Sequence, residues 1–566
     1  MSELRAGKQE SEMPALFSPP RRGGVARRKP ARGLRIDAFP LLIEEGWPEG
    51  PGWLSVRAQH RVRFVSEQRN EDIKKRRSEI RTTLQALLKS IAVALILTAL
   101  PLIALPAERP HILYITADDL GWKDVGYHGS SIRTPTLDRL AKEGARLEDF
   151  YVQPFSSQTR AAVYTGRYPM RYGLQTMQIQ WFSEHGLPTD ERILPQALKT
   201  AGYRTALIGK WQLGHAQKDF MPKERGYDHF YGHLTGAIDY FKKTDAGGRP
   251  DWWRNDKRIK EEGYVTTLLA REASAVIARH EAPAPLFMHL SFAAPQAPHE
   301  GVKPFVDYYS ADSAQLKAYR AMISAVDNAI DTTLKALEKH GMLNDTVVVF
   351  HATTGGAVKR KFPMGDGDSD ASVSNNGFYR GGRGGLHEGG LRAAAFVWRP
   401  GEVQPGAITE IIHAVDFYPT LLKLAGADLE QPKPIDGIDQ WPSIAQGKPS
   451  PRQEALLNVD EFRGALRMAE WKLILYATLP SRVELYNLRA DPSEEDNQAE
   501  RDPERVRAMT KRLTEYAWDM APSKYLEELT KPRKVDTPIF WGENPVRGIE
   551  ATEAAPRPGA IPRLQR

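Results

Sequence analysis

The sequence predicts an α/β fold: a large mixed, mostly parallel sheet sandwiched by helices, with a smaller C-terminal antiparallel-sheet-plus-helix domain. Three observations predict it. From residue 110, short apolar runs ending in loops alternate with helical stretches, as strands buried on both faces do. After about residue 440, the runs become short and close-set, as in a small antiparallel sheet. The chain has 566 residues, 41% hydrophobic and 26% charged, which is ample for a large core and a second domain. The absence of cysteine excludes disulfides, thiolate zinc sites and a cysteine nucleophile.

The elements follow in chain order. Residues 1–80 form a basic extension rich in Pro, Gly and Arg, with little to bury, and are expected to be disordered. Residues 1–89 hold 19 Lys/Arg against 11 Asp/Glu, so the excess of 8 exceeds the whole chain's +7. The remaining 477 residues sum to about −1, and no global basic field directs them to nucleic acid. After KKRR at 74–77, the run SIAVALILTALPLIALPA (90–107) carries no charge and ends in small residues. We read 81–107 as a signal peptide or membrane anchor, which predicts export to the periplasm or outside the cell. Pro101 and Pro106 weaken a spanning helix. An export signal belongs at an N-terminus, so residues ahead of about 75 would be a start assigned too early.

Residues 108–435 carry the α/β pattern. HILYITA (111–117) is a strand ending in Asp118-Asp119, and TPTLDRLAKEGA is a capped helix closed by Gly144. LPQALKTAGYRTALIGK repeats helix, glycine and strand, ending at Lys210. APLFMHLSFAAP leads to Gln296, and DTVVVFHATTGG leads to Thr353-Thr354. These residues therefore gather at the carboxyl edge of one parallel sheet, where sites of such folds form. In 436–535, RMAEWKLILYA and VELYNLRA read as antiparallel strands, and an amphipathic helix starts near Pro503. Residues 536–566 read as a loose tail. In GDGDSDASVSNNG (365–377), Asp366, Asp368 and Asp370 alternate like a calcium loop. The loop glycine and closing glutamate are missing, so a solvated acidic loop is expected.

Several long segments carry a family resemblance in order and spacing. They are RPHILYITADDLGWKDVGYHGSSIRTPTLD, TRAAVYTGRYPMRYGLQ, LPQALKTAGYRTALIGKWQLG, MPKERGYDHFYG and ELYNLRADPSEEDNQAE. Together they resemble the sulfatase family, its arylsulfatases in particular, over roughly residues 110–535. The resemblance implies an alkaline-phosphatase-like fold and hydrolysis of sulfate esters. It also implies a formylglycine nucleophile made from Cys or Ser, and a Ca²⁺ held by Asp-Asp and Asp-Asn pairs.

Residue by residue, the family pattern is kept in part. Asp118 and Asp119 match the first metal pair, Arg160 the arginine of the nucleophile motif, and Lys210 the sulfate-handling lysine. Ser156 falls at the modified position, but Gln158 replaces the motif proline, which argues against formylglycine. Gln212 and Gln296 stand where the family has histidine, and glutamine cannot shuttle a proton. His215 and His299 are the local substitutes. Thr353 and Thr354 replace the second metal pair, so Asp118 and Asp119 are expected to hold Ca²⁺ poorly. Arg383 replaces a lysine and keeps its charge.

The departures fall on the residues that do chemistry, which predicts a catalytically impaired, exported sulfatase-like protein. Arg160, Lys210 and Arg383 against Asp118 and Asp119 leave about +1, a pocket for a sulfated glycan or other small anion. The first alternative is an active sulfuric-ester hydrolase using Ser156-derived formylglycine and Ca²⁺. The second is a phosphatase-like hydrolase with bare Ser156. Nucleic acid is not expected as a partner, and contact with a membrane only through 90–107.

Overall fold

The computed structural model describes residues 74–85, 87–88, 109–281, 283–310, 313–358 and 373–531. The apolar run 90–107, the aspartates 366, 368 and 370, the tail 536–566 and most of the basic extension lie outside them. The chain divides into two units, Met1–Ile103 and Ala104–Arg566. In the first, residues 74–85 and 87–88 are helical and exposed, so the KKRR cluster lies on a helix. Among the described residues, no helix is long and apolar enough to cross a membrane.

The second unit is built on a ten-stranded sheet. In chain order the strands are β1 (His111–Ala117), β2 (Ala145–Leu147), β3 (Phe150–Tyr151), β4 (Arg204–Lys210), β5 (His229–His233), β6 (Trp253–Arg254), β7 (Lys257–Arg258) and β8 (Leu286–Phe292). Then come β9 (Thr346–Ala352), β10 (Ala395–Trp398), β11 (Gly406–Ile408), β12 (Ile412–His413), β13 (Glu454–Val459), β14 (Arg463–Met468), β15 (Trp471–Tyr476) and β16 (Arg482–Asn487). The large sheet has the order β11-β2-β10-β9-β1-β8-β4-β5-β6-β7. Its centre, β9-β1-β8-β4-β5, is parallel throughout. Antiparallel pairing enters on both flanks, at β9–β10 and β10–β2 and again at β5–β6 and β6–β7.

The apolar runs explain this centre. Every residue of β8 and of β9 is buried, so both faces must be covered. The helices Pro135–Glu143, Val265–Ala278 and Ala314–Lys339 form one packed group, and Ser156–Thr165, Leu194–Thr200 and Phe417–Leu424 another. Ser313 starts the 26-residue helix by accepting the Leu316 N–H at 3.1 Å. β1 occupies the predicted residues 111–117, and β4 ends on Lys210 as expected.

The second sheet is a four-stranded antiparallel meander, β13-β14-β15-β16. The helix Pro503–Trp518 begins at the predicted proline, with Asp502 accepting the Arg505 N–H at 3.0 Å. It packs on β13, β14 and β15, and Leu513 fills the space beside Gly464.

Candidate functional site

The parallel strands deliver the site residues to one edge. Asp118 and Asp119 follow β1, Lys210 ends β4, Gln296 lies four residues beyond β8, and Thr353-Thr354 follow β9. β1 pairs with both β8 and β9, placing Ala117 level with Phe292 and with Ala352. Gly209 allows β4 to approach β8, because a Cβ there would stand 1.9 Å from the Ser291 carbonyl oxygen. Gly355 does the same beyond β9, where a Cβ would meet the Gly389 carbonyl oxygen at 1.8 Å. Asp119 and Gln212 hold left-handed backbone at φ 56° and 52°, a strain that non-glycine residues keep only when their surroundings enforce it.

The charged side chains form one connected cluster. Lys210 Nζ donates to Asp118 Oδ2 at 2.5 Å and to Gln296 Oε1 at 2.8 Å. Arg160 pairs with Asp118 Oδ1 at 2.8 Å, and Arg383 with Asp119 Oδ1 at 3.2 Å. Thr353 Oγ1 lies 2.7 Å from Asp118 Oδ1 and 3.1 Å from Ser156 Oγ, and Thr354 Oγ1 donates to Asp119 Oδ1 at 3.1 Å. Asp118 and Lys210 have no solvent exposure, and Arg160 is 2% exposed.

Electrostatics follow from this geometry. Burial alone would raise the Asp118 carboxyl, but Arg160 and Lys210 outweigh it and hold the group well below the usual carboxylate range. Burial raises Asp119, which has Arg383 as its cationic neighbour. Burial lowers the Lys210 ammonium to about 8, against the pull of Asp118.

Ser156 is the first residue of the buried helix Ser156–Thr165. Gln158 is accommodated structurally: it accepts the Phe155 N–H at 3.3 Å and donates to the Gln175 carbonyl at 2.7 Å. Among the described residues, no imidazole or carboxylate is hydrogen-bonded to Ser156 Oγ. The two candidate substitutes do not join the cluster through any hydrogen bond described. His215 bonds through Nε2 to the Trp181 carbonyl at 3.1 Å, and His299 through Nδ1 to Gln315 at 3.1 Å. Burial holds both near 4, so both are neutral at neutral pH. Gln212 also turns away, donating to the Ile179 carbonyl at 3.3 Å.

Other members escaped the sequence reading. Ser291 accepts from Arg160 at 3.0 Å and donates to the Lys210 carbonyl at 2.8 Å. Gln178 accepts from Arg383 at 2.8 Å. Beneath them, His289 bonds Thr116 at 3.0 Å and Tyr164 at 2.5 Å, and Tyr164 bonds Tyr227 at 2.5 Å. The signal was present, since a serine and a histidine inside the apolar strand LFMHLSF require buried partners. A cavity of about 960 Å³ borders the cluster at Gln296 and Arg383 and is lined also by His299, Gln315, Ile238 and Asp239.

The residues do not fit the calcium ion that the family resemblance implies. Calcium takes about six to eight oxygen ligands, preferably carboxylates and carbonyls. Both Asp118 oxygens and Asp119 Oδ1 are instead committed to Lys210, Arg160, Arg383 and two threonine hydroxyls. Among the described residues, no group of three or more His, Cys, Asp or Glu is placed to hold a metal.

With the geometry in place, comparison with known proteins gives the class. The Sulfatase family model matches residues 110–427, and the model for the C-terminal region of N-sulphoglucosamine sulphohydrolase matches 382–520. Arylsulfatase J of Mus musculus is 33% identical over 474 residues, covering 74% of this chain and 77% of that protein. N-acetylgalactosamine-6-sulfatase of Homo sapiens is 31% identical over 362 residues, covering 60% of this chain and 67% of that protein. The crystal structure of Ps i-CgsB in complex with k-i-k-neocarrahexaose is 30% identical, with a TM-score of 0.67, covering 73% of this chain and 94% of that one. The chain belongs to the sulfatase family, whose reaction is the hydrolysis of sulfate esters, and it has that family's alkaline-phosphatase-like fold.

Proposed function

We propose that this chain is an exported sulfatase-family protein that binds a sulfated saccharide or related small anion and no longer hydrolyses it. The carrying observation is the cluster itself. Three cations, Arg160, Lys210 and Arg383, share two carboxylates beside a cavity that Arg383 lines, and among the described residues no base is hydrogen-bonded to Ser156. An unmodified serine without base or metal is a weak nucleophile, whereas fixed cations bind an anion by charge-assisted hydrogen bonds. The complex of Ps i-CgsB with k-i-k-neocarrahexaose supports a saccharide as the ligand class. Export rests on the apolar run 90–107, with residues 108–435 as the site-bearing domain and 436–535 as its C-terminal companion.

Titration calorimetry with a panel of sulfated mono- and oligosaccharides tests the reading. Wild-type protein should bind at least one member, and Arg383→Gln should weaken that binding by about 1.5–3 kcal/mol, roughly tenfold or more. If no saccharide binds in a way that depends on Arg383 or Lys210, the reading fails. The rival reading, hydrolysis through Ser156-derived formylglycine, is favoured by the position of Ser156 at the start of the helix that also carries Arg160. The tryptic peptide LEDFYVQPFSSQTR, from protein made in its native host, separates the two. A mass lower by two hydrogens, localised to Ser156, establishes formylglycine; the unmodified mass excludes it.

A further inference from the structure

We infer that the chain's own side chains have replaced the divalent cation at this site, and that Thr353 and Thr354 are the residues that keep a metal out. Three of the four carboxylate oxygens that follow β1 already face a cation or a hydroxyl donor. Asp118 Oδ2 receives the Lys210 ammonium at 2.5 Å; Asp118 Oδ1 receives the Thr353 hydroxyl at 2.7 Å and forms an ion pair with Arg160 at 2.8 Å. Asp119 Oδ1 receives the Thr354 hydroxyl at 3.1 Å and forms an ion pair with Arg383 at 3.2 Å. An entering dication would have to displace these donors from buried oxygens while facing three fixed positive charges at low effective dielectric.

The threonines decide the outcome because of where they stand. Each is fully buried at the end of β9 and presents one hydroxyl to one aspartate. A hydroxyl donates its proton to the carboxylate and so becomes one more partner for it. A carboxylate or amide oxygen at the same place would repel the aspartate oxygens and require a cation between them. With threonine, two anions face three cations, and the negative charge that would call for a metal is already offset by side chains. The inference concerns cation exclusion alone, and it stands or falls separately from saccharide binding.

The test uses wild-type protein and the double variant Thr353→Asp/Thr354→Asn, with no saccharide present. Wild-type thermal midpoints are compared in excess calcium, excess magnesium and EDTA, alongside equilibrium dialysis against radioactive calcium. The expected result is that midpoints agree within about 1 °C and no calcium is retained, because a species that does not bind cannot shift unfolding. The double variant should gain saturable calcium retention and a midpoint that rises with calcium and falls with EDTA. Wild-type retention of calcium, or a wild-type midpoint lowered by EDTA, overturns the inference. A folded double variant blind to calcium overturns the assignment of exclusion to the threonines. If the double variant folds poorly, the wild-type dialysis alone still decides between replacement and retention.

Discussion

Replacing Lys472 with methionine removes a charge from a place where water cannot take over its role. Lys472 lies on β15, pairs with Glu388 at 2.8 Å and Glu494 at 2.9 Å, and all three side chains have no solvent exposure. Burial disfavours the Lys472 ammonium, but the two carboxylates more than compensate and raise it above its ordinary value. Removing one partner of a buried ion pair costs about 3–5 kcal/mol, because the remaining charge is left uncompensated. Glu388 would keep Tyr151 at 2.7 Å and Arg392 at 3.4 Å. Glu494 would keep the Glu388 backbone N–H at 2.7 Å and lose its cation. Glu494 is already raised by burial even beside Lys472, so in the variant it rises further.

The sign of the pH dependence follows. A carboxyl whose folded value exceeds its unfolded one destabilises the protein while ionised, and the penalty disappears as pH falls toward the unfolded value near 4.5. Lys472→Met should therefore lose about 3–5 kcal/mol at pH 8 and clearly less at pH 5. Urea unfolding of wild type and variant at both pH values measures this, and adding Glu494→Gln should recover part of the loss at pH 8. A loss below about 1 kcal/mol at pH 8, or an equal loss at both pH values, would refute the reasoning. The same pin supports the site. Glu388 lies five residues beyond Arg383, in a segment where the Arg383 N–H bonds the Gly356 carbonyl at 3.2 Å and the Gly355 N–H bonds the Gly390 carbonyl at 3.1 Å.

Three further outcomes are expected. Arg383→Lys keeps the charge but loses the planar fork that spans Asp119 and Gln178, so anion affinity measured by calorimetry should fall several-fold with stability little changed. Tyr164→Phe removes the hydroxyl shared by His289 and Tyr227, both fully buried, and should cost about 1–3 kcal/mol in urea unfolding. Glu272 is disfavoured by burial but held down to about 2 by His229 and Arg254. Its stabilisation is present above pH 4.5 and lost as pH falls toward 2, so the stability gap between wild type and Glu272→Gln should close over that window.

The strands of the parallel centre were legible because burial on both faces leaves continuous apolar runs. HILYITA, TALIGK, LFMHLSF and TVVVFHA are the four central strands that carry the site. The flanks were not legible: β2, β10 and β11 span three or four residues, and the β6–β7 hairpin is two residues on each side. Segments that short carry no periodicity, and their pairing depends on neighbours far away in sequence. The Lys472–Glu388–Glu494 triad is hidden for the same reason, since it joins residues 84 and 22 positions from the lysine. Sequence proximity misled in the opposite direction with His215 and His299, which are close to Gln212 and Gln296 along the chain. His215 bonds the Trp181 carbonyl instead, and His299 bonds Gln315 and packs edge-on to Tyr319.

The glutamines carry the last step of the argument. Gln296 occupies a position where a proton-transferring group would face the lysine, and its oxygen accepts from the Lys210 ammonium at 2.8 Å. An amide oxygen in that place accepts and neither takes up nor releases a proton near neutral pH, so it gives Lys210 no proton-transfer partner. Thr353 plays the matching part for Asp118, and the Gln158 amide anchors the start of the Ser156 helix. The close backbone approaches at Gly209 and Gly355, where a Cβ would clash with a neighbouring carbonyl, hold Lys210 and the two threonines in place. Fixed placement combined with amide and hydroxyl groups that do not transfer protons is what the proposed recognition role requires. The proposed role therefore makes the affinity for a fixed anion the quantity that substitutions at Arg160, Lys210 and Arg383 should change.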